Sequence, residues 1–438
     1  MSRLSRNLAT IVAVALVALT LAPPAISSAA PPRPTTTNIA GGAAGWLAQQ
    51  LKGGTHLVFP GTTFVDYGGT ADVAFALAAA RVGRSTIHDA VSYVGAHLDE
   101  YADYSGGQGG PYFGSVGKAA VAALVDGRNP NNFGGHHLLT ELKADECPTK
   151  SSTSCVPGNN TGIFSSVSTS FIVIAEARGA KLDGGQFAPS ANLESFFLSL
   201  QCGDGGFSSD LPADDPCQPD VDATGYALMA LQALGGHAAQ IKKAASWLVS
   251  QRNADGSWTS QGGKNIDSTA LATAGLRIAG RTTAKSVGWL RAQQVTTGPT
   301  VGKGAKRGAL RYQGKFDPAS SIKGTADAIL GITRSSLATL DLTAVRADLP
   351  VLALAVPHVR HAKVRPGAKE MVTGKGFAAG ERVLATIHAK SVRSAVANDN
   401  GTVSLSFTVP KSMAKGAHTM LLTGHRSQLR SKASFVIR

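Results

Sequence analysis

A short signature recurs along the chain, in which Trp or Phe is followed directly by Leu and, four positions on, by Gln. It occurs as WLAQQ, FLSLQ, WLVSQ and WLRAQ, beginning at Trp46, Phe197, Trp247 and Trp289. The last three copies start 50 and 42 residues apart. Repetition at such a period is typical of supersecondary units that bury their apolar faces only against their neighbours. The chain is therefore expected to fold as a repeat array.

A glycine-containing turn with an aromatic residue and then an Ala-rich amphipathic segment complete each unit. The clearest turns are DGGF at 204–207 and DGSW at 255–258. The Ala-rich segments begin at Thr70, Lys118, Ser168, Asp222, Asp267 and Thr325. Six units thus lie between about Ala43 and Ser335.

Each unit is predicted to form a helical hairpin. Trp247 and Gln251 are four residues apart, so they share one helix face, and the glutamine falls where the last carbonyls need donors. The Asp, Ser or Thr that opens each second helix is a preferred N-cap. A single hairpin cannot bury both of its faces, but six hairpins closed into a ring can, with an inner and an outer layer of helices around a central cavity.

The segment KAASWLVSQRNADGSW at 243–258 resembles the QW repeat of squalene–hopene cyclases. The middle of the chain is similar to the alpha-alpha toroid shared by terpene cyclases, protein prenyltransferase beta subunits and cobalamin carriers (the prenyltransferase and squalene oxidase repeat family). This resemblance implies an all-α (α6/α6) toroid over residues 43–350.

The segment DVDAT at 220–224 resembles the Asp-x-Asp-Asp-Thr motif of class II terpene cyclases. By this resemblance Asp222 is the catalytic acid and Asp220 the neighbour that tunes it, but Ala223 stands where the motif has its third aspartate. The zinc site of prenyltransferases expects a cysteine at position 222, so no metal or other cofactor is implied.

The same segment is also explained by helix capping. Asp267 occupies the equivalent position in the next unit, and both aspartates are expected to cap inner helices. The amides at a helix start would lower the pKa of Asp222, whereas the like-charged Asp220 would raise it. On this alternative Asp222 has no catalytic role.

The first thirty residues have the pattern of a signal peptide. Arg3 and Arg6 precede an apolar run at 11–22, and small residues follow, so cleavage is expected after Ala29; a retained membrane anchor is the alternative. Residues 31–42 form a leader. Export favours the sequence-local disulfides among the four cysteines, namely Cys147–Cys155 and Cys202–Cys217.

The last part of the chain, residues 351–438, changes to a two-residue period. Alternating segments at 383–387, 403–409, 418–423 and 433–437 predict short antiparallel strands, and TGKGFAAGE at 373–381 resembles a turn of bacterial Ig-like modules. The resemblance implies a small all-β Ig-like sandwich. This region has 14 Lys and Arg against three acidic residues, a charge of +11 out of +14 for the whole chain. An anionic cell-wall polymer or lipid surface is one expected partner, and nucleic acid is not expected; the alternative is a solvated basic surface that only aids solubility.

Two functions remain open at this point. The first is a secreted, non-catalytic carrier that holds a bulky apolar or amphipathic ligand in the toroid cavity. The second is a class II terpene (squalene–hopene) cyclase-like enzyme, an isomerase that uses Asp222 as general acid. Export and Ala223 favour the carrier.

Overall fold

A computed structural model describes residues 34–107, 110–144, 146, 165–209, 217–260, 262–300, 304–353, 357–377, 380–398, 401–425 and 429–438. The expected signal segment and the expected Cys147–Cys155 bond lie outside these residues. No helix within these ranges is long and apolar enough to cross a membrane.

Two concentric layers of helices form the larger part of the molecule. In chain order the helices are α1 (Ile39–Ala48), α2 (Tyr67–Ala80), α3 (Arg84–Ala96), α4 (Leu98–Ala102), α5 (Phe113–Val125), α6 (Leu138–Ala144), α7 (Ser166–Asp183), α8 (Ala191–Ser199), α9 (Val221–Leu234), α10 (Ala238–Ser250), α11 (Ile266–Ile278), α12 (Ala284–Ala292) and α13 (Pro318–Thr333). The inner layer consists of α2, α5, α7, α9, α11 and α13. Each inner helix packs on the next and α13 packs on α2, so the ring is closed. The helical toroid expected from the repeats is therefore confirmed.

Small residues let the inner helices approach closely. A Cβ atom on Gly225 of α9 would lie 2.8 Å from the backbone of Leu271 on α11, and one on Gly117 of α5 would lie 2.9 Å from the amide of Ile172 on α7. These glycines sit where two helix backbones nearly touch. The Ala-rich sequence of the inner layer thus has a direct packing reason.

A buried threonine near the start of four inner helices fastens each helix to the turn before it. Its hydroxyl accepts the backbone N–H of the residue that ends the turn, at 2.9, 2.8, 3.1 and 3.0 Å. The pairs are Leu57 with Thr70, Phe207 with Thr224, Trp258 with Thr269 and Leu310 with Thr325. The Trp258 indole also donates to the Leu248 carbonyl at 2.8 Å, so the aromatic packs on the preceding helix end as expected. Because the same hydrogen bond recurs, these four helices begin at equivalent positions relative to the turns that precede them.

The strands are short in the helical part and longer in the C-terminal region. They are β1 (Thr35–Thr36), β2 (Leu57–Val58), β3 (Val65–Asp66), β4 (Phe207–Ser208), β5 (Pro219–Asp220), β6 (Thr259–Ser260), β7 (Gly263–Lys264), β8 (Val351–Leu352), β9 (His358–Val359), β10 (Lys363–Val364), β11 (Lys369–Lys375), β12 (Arg382–Ile387), β13 (Lys390–Val396), β14 (Thr402–Thr408), β15 (Gly416–Gly424) and β16 (Arg430–Ile437). Three two-stranded ladders, β2–β3, β4–β5 and β6–β7, precede inner helices.

The C-terminal region is β-rich, as expected from its two-residue period. One sheet has the order β10-β16-β15-β12-β13 and is mixed, because β10 runs parallel to β16; the other has the order β14-β11-β9 and is antiparallel. A separate apolar core, which includes Phe377, Leu405 and Phe435, lies within this region.

Contacts between distant parts of the chain hold the beginning of the helical part to its end. β1 pairs in parallel with β8, and the Trp46 indole of α1 donates to the Ala305 carbonyl at 3.1 Å. The expected disulfide between Cys202 and Cys217 is confirmed, with Cα atoms 5.6 Å apart. It joins the turn after α8 to the segment that leads into α9.

Candidate functional site

The anchoring threonines define equivalent positions in the repeats. Two residues before them stand Gly68, Asp222, Asp267 and Lys323, and two residues after them stand Asp72, Tyr226, Leu271 and Asp327. Residues at these two positions are four apart, so they share one face of the helix, away from the threonine. On each of these four helices, this face carries at least one charged side chain.

Side chains from five inner helices meet in what we call the axial cluster. Its members are Asp72, Lys118, Asp222, Tyr226, Asp267, Lys323 and Asp327. Lys118 of α5 lies 2.8 Å from Asp72 of α2. Lys323 of α13 forms an ion pair with Asp327 and approaches Asp72 at 3.7 Å. It also donates to the Tyr226 hydroxyl of α9 at 3.4 Å, so it reaches past the intervening helix α11.

The axial cluster contains four carboxyl groups and two ammonium groups. Burial raises the pKa of Asp327 well above its ordinary value against the pull of Lys323, and the nearby Asp267 carboxyl adds to the rise. Burial alone would lower the pKa of Lys323, but attraction to Asp327 and Asp72 outweighs it and raises that pKa. Lys323 is thus held in its charged form by the neighbouring carboxylates, whereas burial opposes the charge on Asp327.

Asp220 and Asp222 lie close together in the structure but make different contacts. Asp220 is the N-cap of α9, and its Oδ1 accepts the backbone N–H of Asp222 at 2.9 Å and of Ala223 at 2.8 Å. The expectation that Asp222 caps the helix is therefore wrong. Asn265 likewise caps α11 in place of Asp267.

Asp222 is instead a half-buried residue of the axial cluster. Its Oδ1 is buried without a hydrogen-bond partner among the described residues. Burial raises its pKa to about 6; the nearby Ser268 hydroxyl opposes the shift, and the negative charges of Asp220 and Asp327 add to it. Asp222 therefore holds a proton in mildly acidic solution, which a general acid requires.

A cavity of about 400 Å³ opens beside the axial cluster, and we call it the axial cavity. Its polar lining includes Asp72, Lys118 and Lys323, and its apolar lining includes Leu57, Val58, Phe59, Pro60 and Ile322. Phe59 is half exposed at its edge. Asp222 is not among the residues that line it. A volume of this size with an apolar wall and a few charged groups is typical of small-molecule sites.

Of the axial cluster, the repeat pattern in the sequence singles out Asp222 and Asp267 but not the other members. Asp72, Lys118, Lys323 and Asp327 stand in no local motif, so a motif search passes over them. Alignment of the repeats on their threonines would have found Lys323, Asp72 and Asp327, because these residues occupy the same face as Asp222. Within the described residues, no group of His, Cys, Asp and Glu is arranged to hold a metal ion.

No family model and no curated protein matches the chain. Among solved structures, it is similar to ent-copalyl diphosphate synthase from Streptomyces platensis, with TM-score 0.42 and 19% identity over 61% of this chain and 50% of that chain. It is similar to a variant of the type II terpene cyclase MstE from Scytonema in complex with geranylgeranyl dihydroxybenzoate, with TM-score 0.45 and 14% identity over 69% of this chain and 96% of that chain. A third is protein geranylgeranyltransferase-I from Candida albicans complexed with GGPP, with TM-score 0.43 and 12% identity over 63% of this chain and 89% of that chain. The chain spans half the length of the first of these proteins.

Proposed function

We propose that the toroid binds an amphipathic small molecule in the axial cavity. The observation that carries this proposal is the division of the cavity lining. An apolar wall includes Leu57, Phe59 and Ile322, and a charged part includes Lys118, Lys323 and their ion-pair partner Asp72. Apolar surface removed from water there stabilises the complex by roughly 25 cal/mol per Å². The lysines offer hydrogen-bond donors to the polar end of the ligand.

A binding assay with defined isoprenoids tests this proposal. Purified protein is titrated with geranylgeraniol, geranylgeranyl diphosphate and squalene, and complexes are followed by native mass spectrometry. Ala319 lines the cavity and is exposed, so Ala319→Trp should fill the space without disturbing the core. We expect binding to fall at least tenfold in this variant and to persist in Ala292→Trp, on the exposed side of α12. Failure of all three compounds to bind, or equal loss in both variants, would contradict the proposal.

Acid-initiated cyclisation is the second candidate, and the pKa of Asp222 favours it over a purely passive carrier. In this reaction the Asp222 carboxyl donates its proton to an electron-rich double bond, and the cation that forms closes a ring and then loses a proton. Asp222 does not line the axial cavity, so this reaction requires the double bond to reach the axial cluster beyond the cavity wall. Wild-type protein would convert squalene or geranylgeranyl diphosphate to a cyclised product, and Asp222→Asn would bind the same compound without turnover. Binding without any product in the wild-type protein would leave the carrier function.

Export and an Ig-like C-terminal module remain part of the proposal. The Cys202–Cys217 bond supports an oxidising compartment, because cytosolic thiols are kept reduced. The two sheets that share one apolar core support the Ig-like interpretation. Peptide mapping of protein secreted by its own source cell, without reductant, tests both the compartment and the disulfide.

A further inference from the structure

In the described part of the C-terminal region, the exposed charged side chains are basic. In the described residues between 357 and 438, every Lys and Arg is exposed. The acidic residues in those ranges, Glu370 and Glu381, are only 7% and 2% exposed. Glu370 is also engaged by His361, whose Nδ1 lies 2.9 Å from Oε1. The basic side chains thus face solvent, and the carboxylates in the described part do not.

A groove of about 580 Å³ lies on this surface, lined by residues of β11, β13 and β14 and by Arg360, which follows β9. The carboxylate in this lining is Glu370, which is nearly buried and paired with His361. Arg360, Lys369 and Arg393 contribute the cationic groups. Ser406 and Thr408 of β14 contribute hydroxyls, and Thr408 stands opposite Lys369 in the ladder. The groove therefore combines cations with hydroxyl donors, both of which bind anionic oxygens.

The arrangement of donors favours a linear ligand. Ser404, Ser406 and Thr408 alternate along β14, so their Cα atoms are about 6.8 Å apart on one face of the strand, and Ser406 and Thr408 line the groove. Such a row matches a polymer that carries an anion on every short repeat. A guanidinium presents a fork of N–H donors, which suits phosphate oxygens.

Two other anionic partners, nucleic acid and a lipid bilayer, fit this groove less well. Phe407 is an aromatic residue of the lining but is only 5% exposed and belongs to the core, so the groove offers no open ring on which nucleic-acid bases stack. A lipid bilayer presents a flat surface, whereas these cationic groups surround a recess.

We propose that this groove binds a linear polymer of polyol or sugar units joined by phosphodiesters. Arg360 and Arg393 contact the phosphate oxygens, and Ser406 and Thr408 donate to oxygens of the same chain. The site is separate from the axial cavity and does not depend on the function of the toroid.

Binding of full-length protein to fluorescently labelled poly(glycerol phosphate) tests this proposal. The decisive variant is Arg360→Gln with Arg393→Gln, and the matched control is Arg430→Gln with Lys432→Gln, which removes the same charge from exposed positions of β16. We expect the groove variant to lose at least about tenfold in affinity, because it removes both guanidinium groups that form charge-assisted hydrogen bonds with phosphate. The control variant should lose clearly less, and raising the salt from about 50 to 200 mM should weaken all binding.

Three results would overturn the proposal. The first is no binding of poly(glycerol phosphate) at low salt. The second is an equal loss in the groove and control variants, which would indicate unspecific charge attraction. The third is tighter binding to oligodeoxythymidylate or to phosphatidylglycerol vesicles than to poly(glycerol phosphate). Circular dichroism of both variants verifies that they are folded.

Discussion

At the scale of the residue, Asp222 shows why a helix start does not by itself fix the pKa of a carboxyl group. From sequence, the amides at the start of the helix are expected to lower its pKa. In the structure Asp220 accepts the N–H groups of Asp222 and Ala223. Asp222 therefore makes no capping contact. Its Oδ1 is buried near other carboxyl groups, and burial outweighs the opposing influences and raises the pKa to about 6.

This shift predicts a pH-dependent gain of stability in Asp222→Asn. The pKa of Asp222 rises from 3.8 to about 6 on folding, so the folded protein binds more protons between these values and loses stability as pH rises through that window. Asparagine does not titrate, so Asp222→Asn lacks this loss of stability with rising pH. We expect the variant to be more stable than wild type by up to about 3 kcal/mol near pH 7.5, at about 1.4 kcal/mol per pKa unit. The difference should vanish near pH 3.5, as measured by urea unfolding at both pH values.

Asp220→Asn is the matched control for this measurement. Asparagine is as good an N-cap as aspartate, so the variant should unfold close to wild type. A gain in Asp220→Asn equal to that in Asp222→Asn would indicate that removal of any negative charge stabilises this region. A pH-independent effect of Asp222→Asn would mean that the carboxyl is not held protonated.

At the scale of the element, the repeats predicted the helices well because each unit carries its own turn, cap and Ala-rich face. The segments that begin at Thr70, Asp222 and Thr325 all lie in inner helices. The axial cluster was largely missed, since its members come from different helices and meet only when the ring closes. Sequence periodicity shows the helix face on which Lys323 and Asp327 lie, but not the partners from α2 and α9.

The threonine anchors predict an element-scale effect on stability. Thr224→Val keeps the shape of the side chain but leaves the N–H of Phe207, a fully buried residue, without its acceptor. An unsatisfied buried donor costs about 1–3 kcal/mol. Thr273→Val is the control, because the Thr273 hydroxyl only donates to the Thr269 carbonyl within the same helix. Chemical denaturation should show the larger loss in Thr224→Val, and the reverse order would contradict the anchoring role.

At the scale of the whole molecule, ring closure depends on contacts that local sequence does not specify. The first helix, α1, packs against the last inner helix, α13, although the two are far apart along the chain. The Gln294 side chain donates to the Ile39 carbonyl at 2.9 Å and thereby joins the last QW unit to the first helix. The signature predicts six similar units, but only the closed structure shows that the first and the last unit are neighbours.

Gly45 is the position at which this closure is most sensitive. A Cβ atom there would lie 1.7 Å from the carbonyl oxygen of Pro350 and 2.8 Å from its carbon, so Gly45→Ala requires the backbone next to β8 to move. Overpacking of this kind costs about 1–3 kcal/mol or more. Gly288→Ala in α12 meets nothing within 4 Å and should stabilise the helix by about 0.4–1 kcal/mol. Thermal unfolding should therefore shift in opposite directions in the two variants. If Gly45→Ala unfolds at the temperature of wild type, the contact between α1 and the end of the helical chain does not hold the ring closed.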